Sequence, residues 1–287
     1  MKASVANTFV FLGACSYGLL ATLVKIGYSM GLSVYEITLL QYITGFVGLT
    51  LVLLFTKNFR WTPTSGPLIL AGTTLGTTGI FYYLSLEYTS VATGIILLMQ
   101  STWMGIVWES YKEKKWPHWR QLISLVLILL GTFLSVRGEI NLDLMGVFFG
   151  LLAALSYTIT IQYSGLDPEG HSPISRTWTL MIGGFLVVFL AFWLFGFSES
   201  QIRHYSMSYE ALGLGALLGL LGTFLAPLLF SVGRPHTSLG TATLLSSVEL
   251  PVSVFSAFIL LSEPISTLQI AGILSLLLGV ISIPRNR

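Results

Sequence analysis

The chain has 287 residues, of which 54% are hydrophobic and only 9% are Asp, Glu, Lys or Arg, with a formal charge of +2. Ordinary soluble domains carry roughly 25% charged residues, so a water-soluble fold is excluded, and so small a charge points to no nucleic-acid partner. Cys15 stands alone, which excludes a disulfide framework and a cysteine-based metal site.

Ten apolar runs of about 20 residues each follow one another, and each is long enough to cross a hydrocarbon core of roughly 30 Å as a helix. They are continuous rather than alternating, which favours helices over a β-barrel. The first, near 5–25, stays apolar through Val24, beyond Leu12-Gly13-Ala14-Cys15, so a cleaved signal is not expected; it also carries Ser16-Tyr17-Gly18. After a second run near 35–55, the third, near 66–86, places Gly72, Gly76, Gly79 and Tyr83 on one stripe. Small residues at that spacing form helix contacts. Beside them Thr74, Thr78 and Tyr82 align, so Tyr82 is expected toward a cavity and Tyr83 toward a neighbour. The alternative for the threonines is a bond to carbonyls one turn back. In the fourth run, near 91–111, Trp103 shares a mid-helix face with Thr93 and Gln100, whereas Trp61, Trp116, Trp119 and Tyr111 fall at helix ends, where aromatic residues form interfacial belts.

A fifth run near 119–136 is followed by a sixth near 144–163, where Ser156, Thr160 and Tyr163 align with Tyr157 beside them. The seventh, near 175–196, and the glycine-rich eighth, near 209–230, lead to the ninth, near 239–261. There Glu249 lies mid-helix with Ser246, Ser253 and Ser256 on its face. A carboxylate at bilayer depth costs several kcal/mol unless neutralised, paired or facing water, so it is a functional candidate. Three roles are open to it: proton exchange that couples transport, binding of a substrate ammonium, or a structural bond across a broken helix. Pro251 cannot donate a backbone hydrogen bond and is expected to free the carbonyl of Ser247. The tenth run lies near 267–284.

The chain repeats itself. Gly72, Gly76, Gly79 and Phe81 recur as Gly215, Gly219, Gly222 and Phe224; Ser16-Tyr17 recurs as Ser156-Tyr157; Thr89-Ser90, Gln121 and Gly131 recur as Thr237-Ser238, Gln269 and Gly279. Two units are expected, 1–138 and 139–287. With the N-terminus inside, eleven basic residues (Lys2, Lys57, Arg60, Lys112, Lys114, Lys115, Arg120, Arg176, Arg234, Arg285 and Arg287) fall at cytoplasmic ends, against Lys25, Arg137 and Arg203 outside. That bias sets the orientation, with both termini cytoplasmic. Five spans per unit invert the second copy, and transporters built this way hold substrate at the midplane between the halves. Lys25 and Glu36 flank the first external hairpin within reach of each other.

Gly219-Leu220-Leu221-Gly222-Thr223, Thr237-Ser238-Leu239-Gly240-Thr241, Glu249-Leu250-Pro251-Val252 and Glu263 with Gln269 and Gly272 together resemble the second repeat of the EamA-type branch of the drug/metabolite transporter superfamily. Ser16-Tyr17-Gly18, Tyr82-Tyr83-Leu84 with Thr89-Ser90, and Glu113 ahead of Gln121 and Gly131 extend the resemblance to the first. It departs at Gln41-Tyr42, where relatives often have a basic residue, and at Leu250, which separates the acid from the proline. The resemblance implies a ten-helix carrier in the inner membrane that moves a small metabolite, in many relatives an exported amino acid.

The fold expected is therefore an all-α polytopic membrane protein of ten transmembrane helices in two inverted five-helix repeats. Its substrate-facing residues are expected to be Tyr17, Thr78, Tyr82, Gln100, Trp103, Tyr157, Thr160, Ser246 and Glu249. The partners are a small-molecule substrate and the lipid bilayer, with protons as a candidate coupling ion and a monomer favoured because duplication supplies the second half. No cofactor is expected, since Gly213, Gly215 and Gly219 miss the dinucleotide spacing. His118, His171, His204 and His236 lie at no metal-ligand spacing. An intramembrane enzyme would need a nucleophile with a base, an acid pair or a metal set, and none is apparent. A lipid or lipid-linked substrate is the alternative within the transporter class.

Overall fold

The structure, a computed structural model, describes residues 1–57, 65–134, 143–166, 171–196, 208–262 and 265–282. Arg60, Trp61, Arg137, Arg203, His204, Glu263, Arg285, Arg287 and the expected boundary between residues 138 and 139 lie outside them. Among the described residues there are helices and no strand. In chain order they are α1 (Ala3–Ser29), α2 (Val34–Thr56), α3 (Ser65–Tyr88), α4 (Val91–Met99 continued by Ser101–Glu113), α5 (Trp119–Leu134), α6 (Leu144–Ser164), α7 (Pro173–Gly196), α8 (Tyr209–His236), α9 (Leu239–Leu261) and α10 (Thr267–Ile281). By length and composition α1, α2, α6, α7, α8 and α9 can each cross a membrane, and α5 and α10 are shorter apolar helices. α8 continues past its expected end at 230 through a closing turn at Arg234–His236.

The packing obeys the sequence repeat. α3 lies along α6 and α7; its counterpart α8 lies along α1 and α2. α5 pairs with α10, α4 with α9 and α2 with α7. Exchanging the two units maps each of these contacts onto itself or onto another of the set, which is a pseudo-two-fold relation, and an odd number of crossings per unit makes it an inversion. The small-residue stripes are these contacts. Gly76 lies so close to α7 that a Cβ there would come within 2.6 Å of the Gly184 carbonyl oxygen, and a Cβ on Gly72 would overlap the backbone of Leu180. Gly215 and Gly219 repeat the arrangement against Leu40 and Gly45 of α2.

The repeated polar residues cap helices. Ser90 accepts from the Thr93 N–H at 3.2 Å and Ser238 from the Thr241 N–H at 3.2 Å, starting α4 and α9. Gln121 accepts from the His118 N–H at 3.0 Å and Gln269 from the Ser266 N–H at 2.8 Å, starting α5 and α10. Cations hold the opposite ends. Lys25 donates to the carbonyls of Leu86 at 2.7 Å and Thr89 at 3.1 Å, and Arg234 donates to that of Thr237, the repeat equivalent of Thr89. Lys25 therefore stabilises the end of α3, while Glu36 closes a capping box with Ser33 instead of meeting Lys25. Lys25→Met is expected to cost about 1 kcal/mol, read as a lowered Tm of the purified chain.

α4 and α9 both break at midlength, at Gln100 and at Ser247-Val248. In α9 the proline explains it, but the Ser247 carbonyl is not left for a ligand, because it accepts from the Leu250 N–H at 3.2 Å. α4 breaks without a proline. Its own side chains satisfy the carbonyls there: Gln100 donates to that of Ile96 at 3.1 Å and Thr102 to that of Met99 at 2.7 Å.

Candidate functional site

The break in α9 makes Glu249 the first residue of a new helical segment, Glu249–Leu261. The Leu250 N–H of that first turn is taken by the Ser247 carbonyl, the Val252 N–H by that of Val248, and Pro251 has none, so the backbone does little to offset the cost of burying the carboxylate. Glu249 is only 4% exposed and accepts a hydrogen bond from the Tyr157 hydroxyl of α6. Among the described residues it has no cationic partner.

Glu249 borders a cavity of about 50 Å³ between the repeats. Tyr17 of α1, Thr78, Tyr82 and Tyr83 of α3, Gln41 and Tyr42 of α2, and Tyr157 of α6 form much of the remaining wall. Aromatic rings with polar tips suit a ligand with one apolar and one polar end. Tyr17 meets Tyr157 edge-on, with centroids 5.9 Å apart and planes at 85°. Those two rings and Leu75 also border a second, smaller chamber of about 20 Å³, whose other walls include Thr160, Leu180 and Phe230. The tyrosine pair is thus the partition between the two chambers, and because Tyr17 and Tyr157 are repeat equivalents, it lies on the pseudo-axis.

Of the residues expected to face substrate, the structure brings Tyr17, Thr78, Tyr82, Tyr157 and Glu249 to the first cavity and Thr160 to the second. Ser246 is fully buried and donates to the Ala242 carbonyl at 3.0 Å. Gln100 and Trp103 border neither chamber. Trp103 is 39% exposed, its indole N–H donating to Gln100 at 3.0 Å, because the break at Gln100 turns the second half of α4 so that this face points outward. Trp103→Ala is expected to leave substrate affinity within about twofold of wild type, as surface replacements do, in an equilibrium binding assay. A tenfold weakening would return Trp103 to the site.

In the threonine stripe, Thr78 borders the first cavity and Thr74 borders neither. Thr74 and Thr78 bond carbonyls one turn back or nearly so, at 2.7 Å each. They also join α6: Thr160 donates to Thr74 at 2.9 Å, and Ser156 approaches Thr77 at 2.6 Å. Ser156 is therefore a seam residue between helices. Tyr83, expected toward a neighbour, reaches one by donating to Gln41 at 2.7 Å, yet it also borders the cavity. Gln41, Tyr42 and Gly222 were not among the expected site residues. A buried amide in an otherwise apolar stretch is the signal that would have found Gln41. Among the described residues no group of three or more His, Cys, Asp or Glu side chains gathers as a metal site would require.

Comparison with known proteins agrees with this architecture. The model of the EamA-like transporter family matches residues 4–137 and again 144–284. An uncharacterized transporter of Archaeoglobus fulgidus is 24% identical over 203 residues, which cover 70% of this chain and 69% of that protein. A crystal structure superposes over 97% of each chain with a TM-score of 0.76 at 14% identity, a likeness of fold.

Proposed function

Because the chain belongs to the EamA-like transporter family, we propose that it is a secondary transporter that moves an amphipathic small metabolite carrying an ammonium group, an amino acid or a close relative, outward across the inner membrane. One observation carries this reading. Glu249 is a buried carboxylate without a cationic partner among the described residues, in a cavity built from both repeats. An ammonium supplied by the substrate would compensate its buried charge, and the tyrosine rings would take the apolar part and add cation–π attraction. Such a site binds without a covalent step, so the protein acts as a carrier and not as an enzyme.

The packing supports alternating access as the mode of transport. The two units are related by the pseudo-axis through the Tyr17–Tyr157 partition, so exchanging their conformations opens first one chamber and then the other. Lys2, Lys57 and the basic turn at 112–115 then lie on the cytoplasmic side with both termini, and one chain supplies the whole site. Proton exchange at Glu249 would supply the coupling.

Purified protein reconstituted in liposomes and loaded with a neutral amino acid should show counterflow of the labelled amino acid, and a pH gradient should change its rate. No counterflow of any neutral amino acid, together with scrambling of labelled lipid, would replace this reading with a lipid translocase.

A further inference from the structure

Gln41 is 4% exposed, yet it is held by only one of its two polar ends. Its carbonyl Oε1 accepts from the Tyr83 hydroxyl at 2.7 Å. Its amide Nε2 donates to no atom among the described residues, and Gln41 borders the same cavity as Glu249. The orientation of the amide follows from Tyr83. A buried phenol needs an acceptor, and Oε1 is the one it has; turning the amide over would face its donor at Tyr83 and leave that hydroxyl without an acceptor. The NH₂ end must therefore point away from Tyr83. Gly222 gives it room, since a Cβ there would lie 2.6 Å from Nε2.

An amide donor that meets no acceptor among the described residues, beside a cavity that a carboxylate also borders, is half of a complementary pair. We propose that Gln41 Nε2 is the subsite for the carboxylate of a zwitterionic substrate, with Tyr83 as the positioning residue that fixes the amide. The inference rests on the reading of Glu249 as the ammonium site and extends it: the substrate class becomes the neutral α-amino acid, recognised at both ends, rather than any amine. The amide suits a carboxylate in a neutral zwitterion, because it donates without adding a charge that would compete with the substrate ammonium for Glu249. Leaving Nε2 unmet by an amine that lacks the carboxylate is what creates discrimination.

The test compares leucine with isoamylamine, which is leucine without its carboxylate, by equilibrium binding to the full chain in nanodiscs. Wild type is expected to bind leucine at least about tenfold tighter than isoamylamine, the scale of a hydrogen bond to a charged group. Gln41→Leu should erase that preference, and isoamylamine binding that is still measurable reports that the variant is folded. Tyr83→Phe should erase part of it by freeing the amide to turn; a purely structural tyrosine would weaken both ligands alike. Binding of isoamylamine that depends on Glu249, combined with no preference for leucine in wild type or an equal loss of both ligands in Gln41→Leu, overturns the carboxylate subsite alone. Failure of both ligands to bind, or isoamylamine binding that survives Glu249→Gln unchanged, overturns the ammonium site and this inference with it.

Discussion

Glu249→Gln is expected to reduce counterflow by about tenfold to a hundredfold while the protein purifies as a normal folded species. The substitution keeps the size of the side chain and an oxygen that can accept from Tyr157, so the contact between α6 and α9 survives. What disappears is the charge. A hydrogen bond to a charged group contributes roughly 1.5–3 kcal/mol, and a substrate ammonium brought to a neutral amide forfeits it. Any change of rate with a pH gradient should vanish in the same variant, because no other carboxylate among the described residues borders the cavity. If Glu249 merely ties a broken helix together, the glutamine variant will transport normally and lose only thermal stability.

The second large effect is on folding. Gly72→Ala adds a single methyl group, but its Cβ would overlap the backbone of Leu180 where α3 crosses α7, and backbone cannot rotate out of the way. The helices must separate along their whole contact, at a cost of about 3 kcal/mol, the upper range for overpacking. Gly213→Ala makes the control, since nothing lies within 4 Å of a Cβ there. It removes a flexible glycine from the helical segment Tyr209–Leu218 and should gain roughly 0.5–1 kcal/mol. The expected pattern is a steep fall in Tm and in folded yield for Gly72→Ala with none for Gly213→Ala. Equal behaviour of the two would mean that the α3–α7 contact is looser than the structure shows.

The scaffold was legible in the sequence because its signals are local and occur twice. Apolar run length marks the helices, and the recurring Gly, Thr-Ser and Gln positions mark what joins them. The structure gives those positions physical roles: Gly72 and Gly215 admit close helix crossings, Ser90 and Ser238 start α4 and α9, and Gln121 and Gln269 start α5 and α10. Helical periodicity pointed Tyr82 toward a cavity, the repeat paired Tyr17 with Tyr157, and burial of an acid singled out Glu249; the structure brings all four to the first cavity.

What periodicity could not give was the consequence of a break. Gln100 and Trp103 share a face with Thr93 on an ideal helix, but α4 is interrupted at Gln100, where side chains replace the backbone hydrogen bonds that a regular helix would make. The faces before and after that point no longer coincide. Gln41, named in the sequence only as a departure from the family pattern, was not placed at the site for a different reason. Its role depends on Tyr83, on another helix, fixing one end of the amide and leaving the other exposed to the cavity, and no spacing within α2 encodes that. The copies agree in the scaffold and in the Tyr17–Tyr157 pair but disagree at the acid, where Glu249 has Ser101 as its repeat equivalent.

The most direct measurement places a thiol in the cavity. Cys15 is the only cysteine, so Cys15→Ala combined with Thr78→Cys gives a single reporter on the cavity wall. Its rate of labelling by a cationic methanethiosulfonate is measured with and without a transported amino acid, and transport is measured after labelling. The expected result is that the amino acid slows labelling by about tenfold and that the labelled protein no longer transports. Labelling that the amino acid leaves unchanged, or transport that persists with the thiol fully modified, would put the substrate somewhere other than between the two repeats.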